Sequence, residues 1–347
     1  MRTEALHFDL PESLAARVPP EARGLARDQV RLLVTDRRQG FHRHDQFVNL
    51  ARYLRPGDLL VVNNSRTMAA SLPARMGAVP LRLHLSTDLK DGHWIVEVRS
   101  AWGGPHEGPL PAGGRVEVVG APLRAQLLQP YRDFARLWLA QIQGDPYAAA
   151  VRVGAPIRYP YVHGEWPLAF YQTLFARVEG SAEMPSAARP FTCRVLRSLR
   201  ARGVGIAQIT LHTGVSSHEL VHPVVEAHGT YPEWYDVPDA TVQAIHAAKA
   251  AGGRVIAVGT TVVRALESAA IEGGAVKPAT GFTELFVHPD YDLKVVDGLL
   301  TGLHAPVTSH LALLCAFLER AAIFQAYGEA MALGYLWHEF GDVHLIL

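Results

Sequence analysis

The chain has 347 residues with 33 Lys+Arg against 33 Asp+Glu, so no global field draws it to nucleic acid or to a membrane surface, and only a local basic patch is left open. Hydrophobic residues make up 49% and charged residues 19%, with 30 Gly and 23 Pro, which excludes a disordered chain and predicts a loop-rich globular protein of one large or two unequal domains. The two cysteines, Cys193 and Cys315, are far apart, which argues against a disulfide framework and a structural zinc site and makes a reducing cytoplasm the expectation.

The first residues carry acids and no apolar leader, and no stretch approaches the ~20 apolar residues of a membrane span, so a soluble, cytoplasmic protein is expected. Pro11 opens a short helix that Pro19 and Pro20 stop. RLLVTD at 31–36 reads as a strand, Gln39-Gly40 as a turn and 47–53 as a short helix. After the turn at Pro56-Gly57-Asp58, the apolar run 59–62 reads as a buried strand, with Asn63, Asn64 and Arg66 just past its end. That position suits amide and guanidinium recognition; the asparagines equally suit closing the turn on their own backbone.

Residues 67–155 change character. LRLHL, HWIVEV, RVEVV and RAQLL are short period-two runs separated by Gly/Pro-rich pieces, which predicts a β-rich barrel or sandwich. The expected organisation is an α/β domain formed by residues 1–66 and 156–347, with the β-rich module of 67–155 inserted into it.

Beyond residue 156, 158–164 reads as a surface loop and 169–177 as the start of a helix. Residues 192–202 form a basic amphipathic helix ended by Gly203. Five arginines follow residue 188, either as a solvated face or as a phosphate-backbone contact. A strand at 206–211 leads into His212-Thr213-Gly214, and a helix at 239–251 is read as capped by Asp239. Then GGRVIAVGTTVVRALES gives a strand at 254–258, a turn at Gly259-Thr260-Thr261 and a helix at 262–270. Free N–H groups and hydroxyls at such a helix start suit an anionic or oxygen-rich ligand. The plainer alternative is an N-cap followed by a surface Arg264–Glu267 pair. TELFVHP and KVVDGLLTGLHAP supply strand ends at His288 and His304, and a helical tail closes with a strand in FGDVHLIL.

Asn63-Asn64, His212-Thr213, Thr260-Thr261 and His304 each follow an apolar strand, a distribution that fits one site assembled from strand ends. The 17 histidines form no spaced metal signature, so no metal is expected, and no serine-hydrolase elbow, P-loop or dinucleotide fingerprint occurs. His212 and His304 are the candidates for proton exchange, since an imidazole titrates near ~6.5.

Eight collinear blocks, FDLPESLAARVPPEAR, RPGDLLVVNNSR, YQTLFA, GSAEMPSA, ITLHTGV, GGRVIAVGTTVVRALES, VVDGLLTGLHAP and FGDVHLI, resemble the S-adenosylmethionine:tRNA ribosyltransferase-isomerase family of queuosine biosynthesis. The resemblance spans nearly the whole chain. It implies an α/β domain with an inserted barrel and an enzyme for which S-adenosylmethionine is a co-substrate, with no further cofactor. The ribosyl part is transferred to 7-aminomethyl-7-deazaguanine in tRNA and isomerised to epoxyqueuosine, releasing adenine and methionine. On that basis His212 and His304 transfer protons with Asp342 as partner; Thr260, Thr261, Arg264 and Glu267 bind substrate, and Asn63, Asn64 and Arg66 line the same pocket.

The blocks also depart from the family pattern. P-T-A-G-L-H-F-T is PSAARPFT here, so Pro190 replaces the histidine; T-N-F-H-L-P-K-S-T is TGLHAPVTS, with Gly302 for asparagine and Val307 for lysine. Y-R-F-F-S-Y-G-D-A-M is YLWHEFGDVH, with Leu336 for arginine, R-Y-Q-T is FYQT, and the loop after His212 reads SSHEL in place of G-T-F. Two alternatives therefore stand beside the family reaction: a paralogue with a non-tRNA small-molecule acceptor, and a catalytically idle S-adenosylmethionine-binding protein.

Overall fold

The structure, a computed structural model, describes residues 1–347 except 39, 133 and 216–219; the turn expected at Gln39 and the departing loop at 216–219 lie outside the described residues. The chain begins with β1 (Arg31–Asp36), β2 (Phe41–Gln46), β3 (Leu59–Asn63) and the short β4 (Ser65–Thr67). Six strands follow: β5 (Ser71–Met76), β6 (Val79–Asp88), β7 (His93–Ser100), β8 (Arg115–Val118), β9 (Arg124–Tyr131) and β10 (Phe134–Gln143). They close on themselves in the order β10-β7-β6-β5-β8-β9, every pairing antiparallel. Their alternate residues, among them Leu72, Leu83, Val96, Val116 and Leu127, fill a core of their own. Helix α1 (Pro146–Val153), capped by the Asp145 carboxylate on the Tyr147 and Ala148 N–H groups, packs against β5.

The second half contributes β11 (Val178–Ser181), α2 (Cys193–Ala201), β12 (Gly205–Leu211), β13 (Glu233–Val237), α3 (Asp239–Ala250), β14 (Val255–Val258) and α4 (Thr260–Ser268). It ends with β15 (Ala279–Thr283), β16 (Gly298–Gly302), α5 (Ser309–Leu314), α6 (Arg320–Ala332) and β17 (Val343–Ile346). Among the described residues one nine-stranded sheet runs β15-β13-β12-β3-β14-β16-β17-β1-β2, and β11 pairs separately with β4.

The sheet's centre, β12-β3-β14-β16, is parallel, whereas β13 and β17 run against their neighbours β12 and β16. The carboxyl ends of four strands and the amino ends of two therefore share one edge, which is where ligands collect in open α/β sheets. Central strands read as unbroken apolar runs because both faces are covered: Leu59, Val61, Val255 and Ala257 enter one core cluster, and Leu60, Val62, Ile256 and Val258 the other. Truncating Ile256 to alanine would cost about 2–5 kcal/mol by the usual cavity penalty.

Several local readings are revised. The stretch 169–177 is not an α-helix: a single 3-10 turn, Leu168–Tyr171, ends where the Gln172 side chain exchanges two hydrogen bonds with the Thr67 backbone, at 3.1 and 2.8 Å, and holds the chain extended. Asp239 is the first residue of α3, not its cap; Pro238 precedes it and no side chain caps the helix. TELFVHP leaves β15 at Thr283, so His288 is not at a strand end. Arg189, counted with the exposed arginines, is buried against Glu21 at 2.9 Å and over the Phe340 ring. Among the described residues no helix is long and apolar enough to cross a membrane.

Candidate active site

A cavity of about 290 Å³ opens at the shared edge of the sheet. Thr213 reaches it from beyond β12, Gly259, Thr260 and Thr261 from the end of β14, and Thr301 through Ala305 from β16. Thr308 and His310 of α5 border it, as do the segment from Glu183 to Ala187, the pair His338-Glu339 before β17, and Tyr159 and Tyr161. A narrow extension of about 30 Å³ continues toward Tyr231, Glu233 and Arg264, sharing Thr213, Thr260, Thr261 and His310.

Gly259 makes the junction between β14 and α4 possible. It sits at φ 97°, in the region only glycine visits cheaply, while its N–H donates to Leu300 on β16 at 2.8 Å. The sequence reading put Thr260 and Thr261 in the turn; they are the first two residues of α4, and Gly259 is the N-cap. No side chain caps this helix, so its positive end and two hydroxyl-bearing residues border the cavity.

His304 follows β16 and is held on three sides. Its N–H donates to the Tyr327 hydroxyl at 3.2 Å, its carbonyl accepts from Trp337 Nε1 at 3.1 Å, and ring Nε2 lies 2.7 Å from Thr301 Oγ1. Its ring stacks on His310, centroids 5.0 Å apart at 12°. Burial, reinforced by His310, His338 and His344, holds the His304 imidazole well below its ordinary value, so it is neutral at physiological pH. Burial likewise lowers His310 and His338 to about 4. Tyr161 lies between two rings, 4.4 Å from His338 and 5.4 Å from Tyr159. The segment read as a surface loop is thus an aromatic wall of the cavity.

Other sequence candidates are placed elsewhere. His212 does not line the cavity: Nδ1 bonds Ser65 Oγ at 2.8 Å, its ring stacks on Trp234, and it presses on Gly180, where a Cβ would come within 2.6 Å of the ring. Burial lowers its pKa to about 4. Asn63 is wholly buried and ties β3 to β12 through Leu211, while Asn64 accepts from the Thr210 hydroxyl at 2.7 Å. Arg66 is exposed on β4. None of these three borders the cavity.

Arg264 and Glu267 do not form the surface pair considered above. Arg264 forms a buried ion pair with Glu233 at the narrow extension. Glu267 accepts the N–H groups of Lys294, Val295 and Val296 at 2.9–3.1 Å and is structural. Asp342 is no partner of either histidine; its carboxylate accepts the Arg31 and Leu336 N–H groups at 2.6 and 2.7 Å. Sequence reasoning missed His310, Glu183, His338 and Glu339, of which the last two stand where the quoted family block has Phe-Ser. Of the four replaced positions, Gly302 borders the cavity and Pro190, Val307 and Leu336 do not. Away from it, the ligand-type side chains of Glu226, His288 and Asp290 converge, with Glu226 already binding the Met1 ammonium at 2.6 Å.

The model of the family described as "Queuosine biosynthesis protein" matches residues 3–346. The chain belongs to this family. It is 37% identical over 354 residues to the S-adenosylmethionine:tRNA ribosyltransferase-isomerase of Moorella thermoacetica, covering 100% of both. It is also 37% identical over 347 residues to that of Thermus thermophilus, covering 99% of both. Among solved structures, the S-adenosylmethionine tRNA ribosyltransferase of Thermotoga maritima is similar with a TM-score of 0.56 at 29% identity, over 99% of this chain and 100% of that one. Four of the eight blocks, GSAEMPSA, ITLHTGV, GGRVIAVGTTVVRALES and VVDGLLTGLHAP, contribute residues to the cavity lining.

Proposed function

We infer that this protein is an S-adenosylmethionine:tRNA ribosyltransferase-isomerase, taking S-adenosylmethionine as ribosyl donor and 7-aminomethyl-7-deazaguanine in tRNA as acceptor. The observation that carries the site assignment is the convergence of the uncapped α4 terminus and the neutral His304 on one cavity. The sulfonium acidifies the C5′ protons. His304 removes one, the ribose ring opens, and the departing adenine takes the proton from the imidazolium so formed. The aminomethyl nitrogen bonds to C4′ of the opened chain and its proton passes to solvent; C5′ bonds to the C1′ aldehyde to close the five-membered ring, and the resulting C1′ oxygen displaces methionine from C5′ to form the epoxide. Thr260, Thr261 and the α4 N–H groups receive the methionine carboxylate. Arg264, committed to Glu233, fixes the narrow end, and His212 acts by supporting the strand end it occupies.

The test is mass spectrometry of products from purified protein with S-adenosylmethionine, alone and with tRNA carrying 7-aminomethyl-7-deazaguanine. Adenine and methionine are expected only with that tRNA, together with the modified base. Their release without tRNA points to a small-molecule acceptor, and no release under either condition overturns the enzymatic reading.

A further inference from the structure

Glu183 and Glu339 enter the cavity from different segments, one ahead of α2 and the other ahead of β17. The Glu339 Oε2 atom is sealed from solvent and has no hydrogen-bond partner. Thr213 is 5% exposed, lines both the cavity and its extension, and has an unpartnered hydroxyl. Its carbonyl accepts the N–H groups of Ala182 and Glu183, so this hydroxyl-bearing residue is tied to the Glu183 backbone. Buried polar atoms without partners are rare in folded proteins, and here they border a space of substrate dimensions.

We propose that Glu183 and Glu339, with the Thr213 hydroxyl, form a cation-recognition subsite that receives a positively charged group of the substrate. The proposal rests on the functional reading above and names which part of the substrate these residues take. S-adenosylmethionine carries a sulfonium and an ammonium beside its carboxylate, and the acceptor carries an aminomethyl group. The α4 terminus suits the carboxylate; the two carboxylates, of which Glu183 also lies in the field of the Arg136 guanidinium, suit a cation. The one departure at the subsite itself agrees in sign, since the chain places Glu339 where the pattern has serine.

The groups facing Glu339 are Glu183, Arg189, Tyr161 and Tyr171, with His338 preceding it in the chain. Burial, together with the Glu183 charge and against the pull of Arg189, pushes the Glu339 carboxyl up to about 8. At pH 7 it therefore holds a proton that an arriving cation displaces.

The experiment is calorimetric titration of the full chain with S-adenosylmethionine and with S-adenosylhomocysteine, which lacks the sulfonium charge. It is run at pH 7 in buffers of different ionisation enthalpy, on wild type, E339Q and E183Q, with thermal melts to establish folding. The wild type is expected to release a proton on binding and E339Q to release none. Either substitution is expected to weaken S-adenosylmethionine about 10- to 100-fold, the range of a charge-assisted contact. Weakening of S-adenosylmethionine alone identifies the sulfonium, and weakening of both ligands the ammonium. If S-adenosylmethionine affinity holds while KM for the aminomethyl-bearing tRNA rises about tenfold, the acceptor amine occupies the subsite. Affinity, KM and proton release all unchanged in folded variants overturn the proposal alone; a wild type that binds no S-adenosylmethionine overturns the functional reading with it. If E339Q does not fold, E183Q carries the test, and unfolding of both assigns the carboxylates to structure and overturns the subsite.

Discussion

Thr301 Oγ1 and His304 Nε2 lie 2.7 Å apart across the loop that leaves β16. With Nε2 engaged, Nδ1 is the ring nitrogen left for substrate; for Nδ1 to act as base, Nε2 carries the hydrogen and donates it to the Thr301 hydroxyl, in the neutral ring and in the imidazolium alike. Thr301→Val keeps the shape and removes the contact; kcat is expected to fall about tenfold or more with KM little changed. His304→Ala is expected to remove at least about 100-fold of turnover while the melting temperature stays near wild type. Full activity in a folded H304A protein would assign the proton transfer elsewhere.

Acid sensitivity follows from the buried histidines. Burial lowers His212, His310 and His338 to about 4 and His344 to about 3. The unfolded chain titrates these groups near ~6.5, so below that pH it binds more protons than the folded state, and stability is lost as pH falls. Each contributes a slope of up to about 1.4 kcal/mol per pH unit between its two values. Glu339, raised to about 8, has the opposite sign and loses its contribution as pH rises through that value. The melting temperature should therefore drop clearly between pH 6.5 and 5; a flat profile would mean the rings stay charged in the folded protein.

Glu267 gives a contrasting case, a carboxylate on α4 that serves architecture. It gathers three consecutive N–H groups, from Lys294 to Val296, just ahead of β16. Glu267→Ala leaves these donors without their acceptor and is expected to destabilise by roughly 3 kcal/mol, read as a shift in denaturant midpoint. KM for S-adenosylmethionine should hold in the fraction that stays folded.

At Gly259 the constraint is backbone conformation, not space. A Cβ there would find its nearest neighbours at 3.5 and 3.6 Å, an ordinary contact, but the φ of 97° strains any other residue. Gly259→Ala is expected to cost about 1–3 kcal/mol and to raise KM for S-adenosylmethionine by shifting Thr260. Unchanged stability and KM would show that the turn relaxes without moving the helix start.

The strands that sequence could locate are those whose apolar runs are buried on both faces. β1 falls on the expected bounds, β3, β12 and β14 within a residue, and β17 inside the stretch FGDVHLIL. Residues 169–177 misled because their helical spacing was overridden by the Gln172 bridge to Thr67, a contact across 105 residues. Thr260, Thr261 and His304 were legible as groups following apolar strands. Glu183, His338 and Glu339 were not: Glu183 lay within the matched block GSAEMPSA with no apolar strand before it, and His338 and Glu339 arrive on an irregular segment whose only local signal was departure from a block pattern. Asp342 misled in the opposite way: offered by the resemblance as the histidines' partner, its carboxylate is taken up by two backbone N–H groups.

The position of β17 bears on how the protein is made. This strand, the last of the sheet in chain order, lies between β16 and β1, pairing Leu299 with Ile346 on one side and Leu32 with Val343 on the other. During synthesis β1 and β2 emerge ahead of the sheet's other strands, yet gain their link to its centre only once β17 has been made. The barrel, whose six strands follow one another between Ser71 and Gln143, has no such delay. A nascent chain would thus carry a finished barrel beside an open sheet edge until β17 is made, and a chain lacking β17 would leave its first hairpin with nowhere to dock.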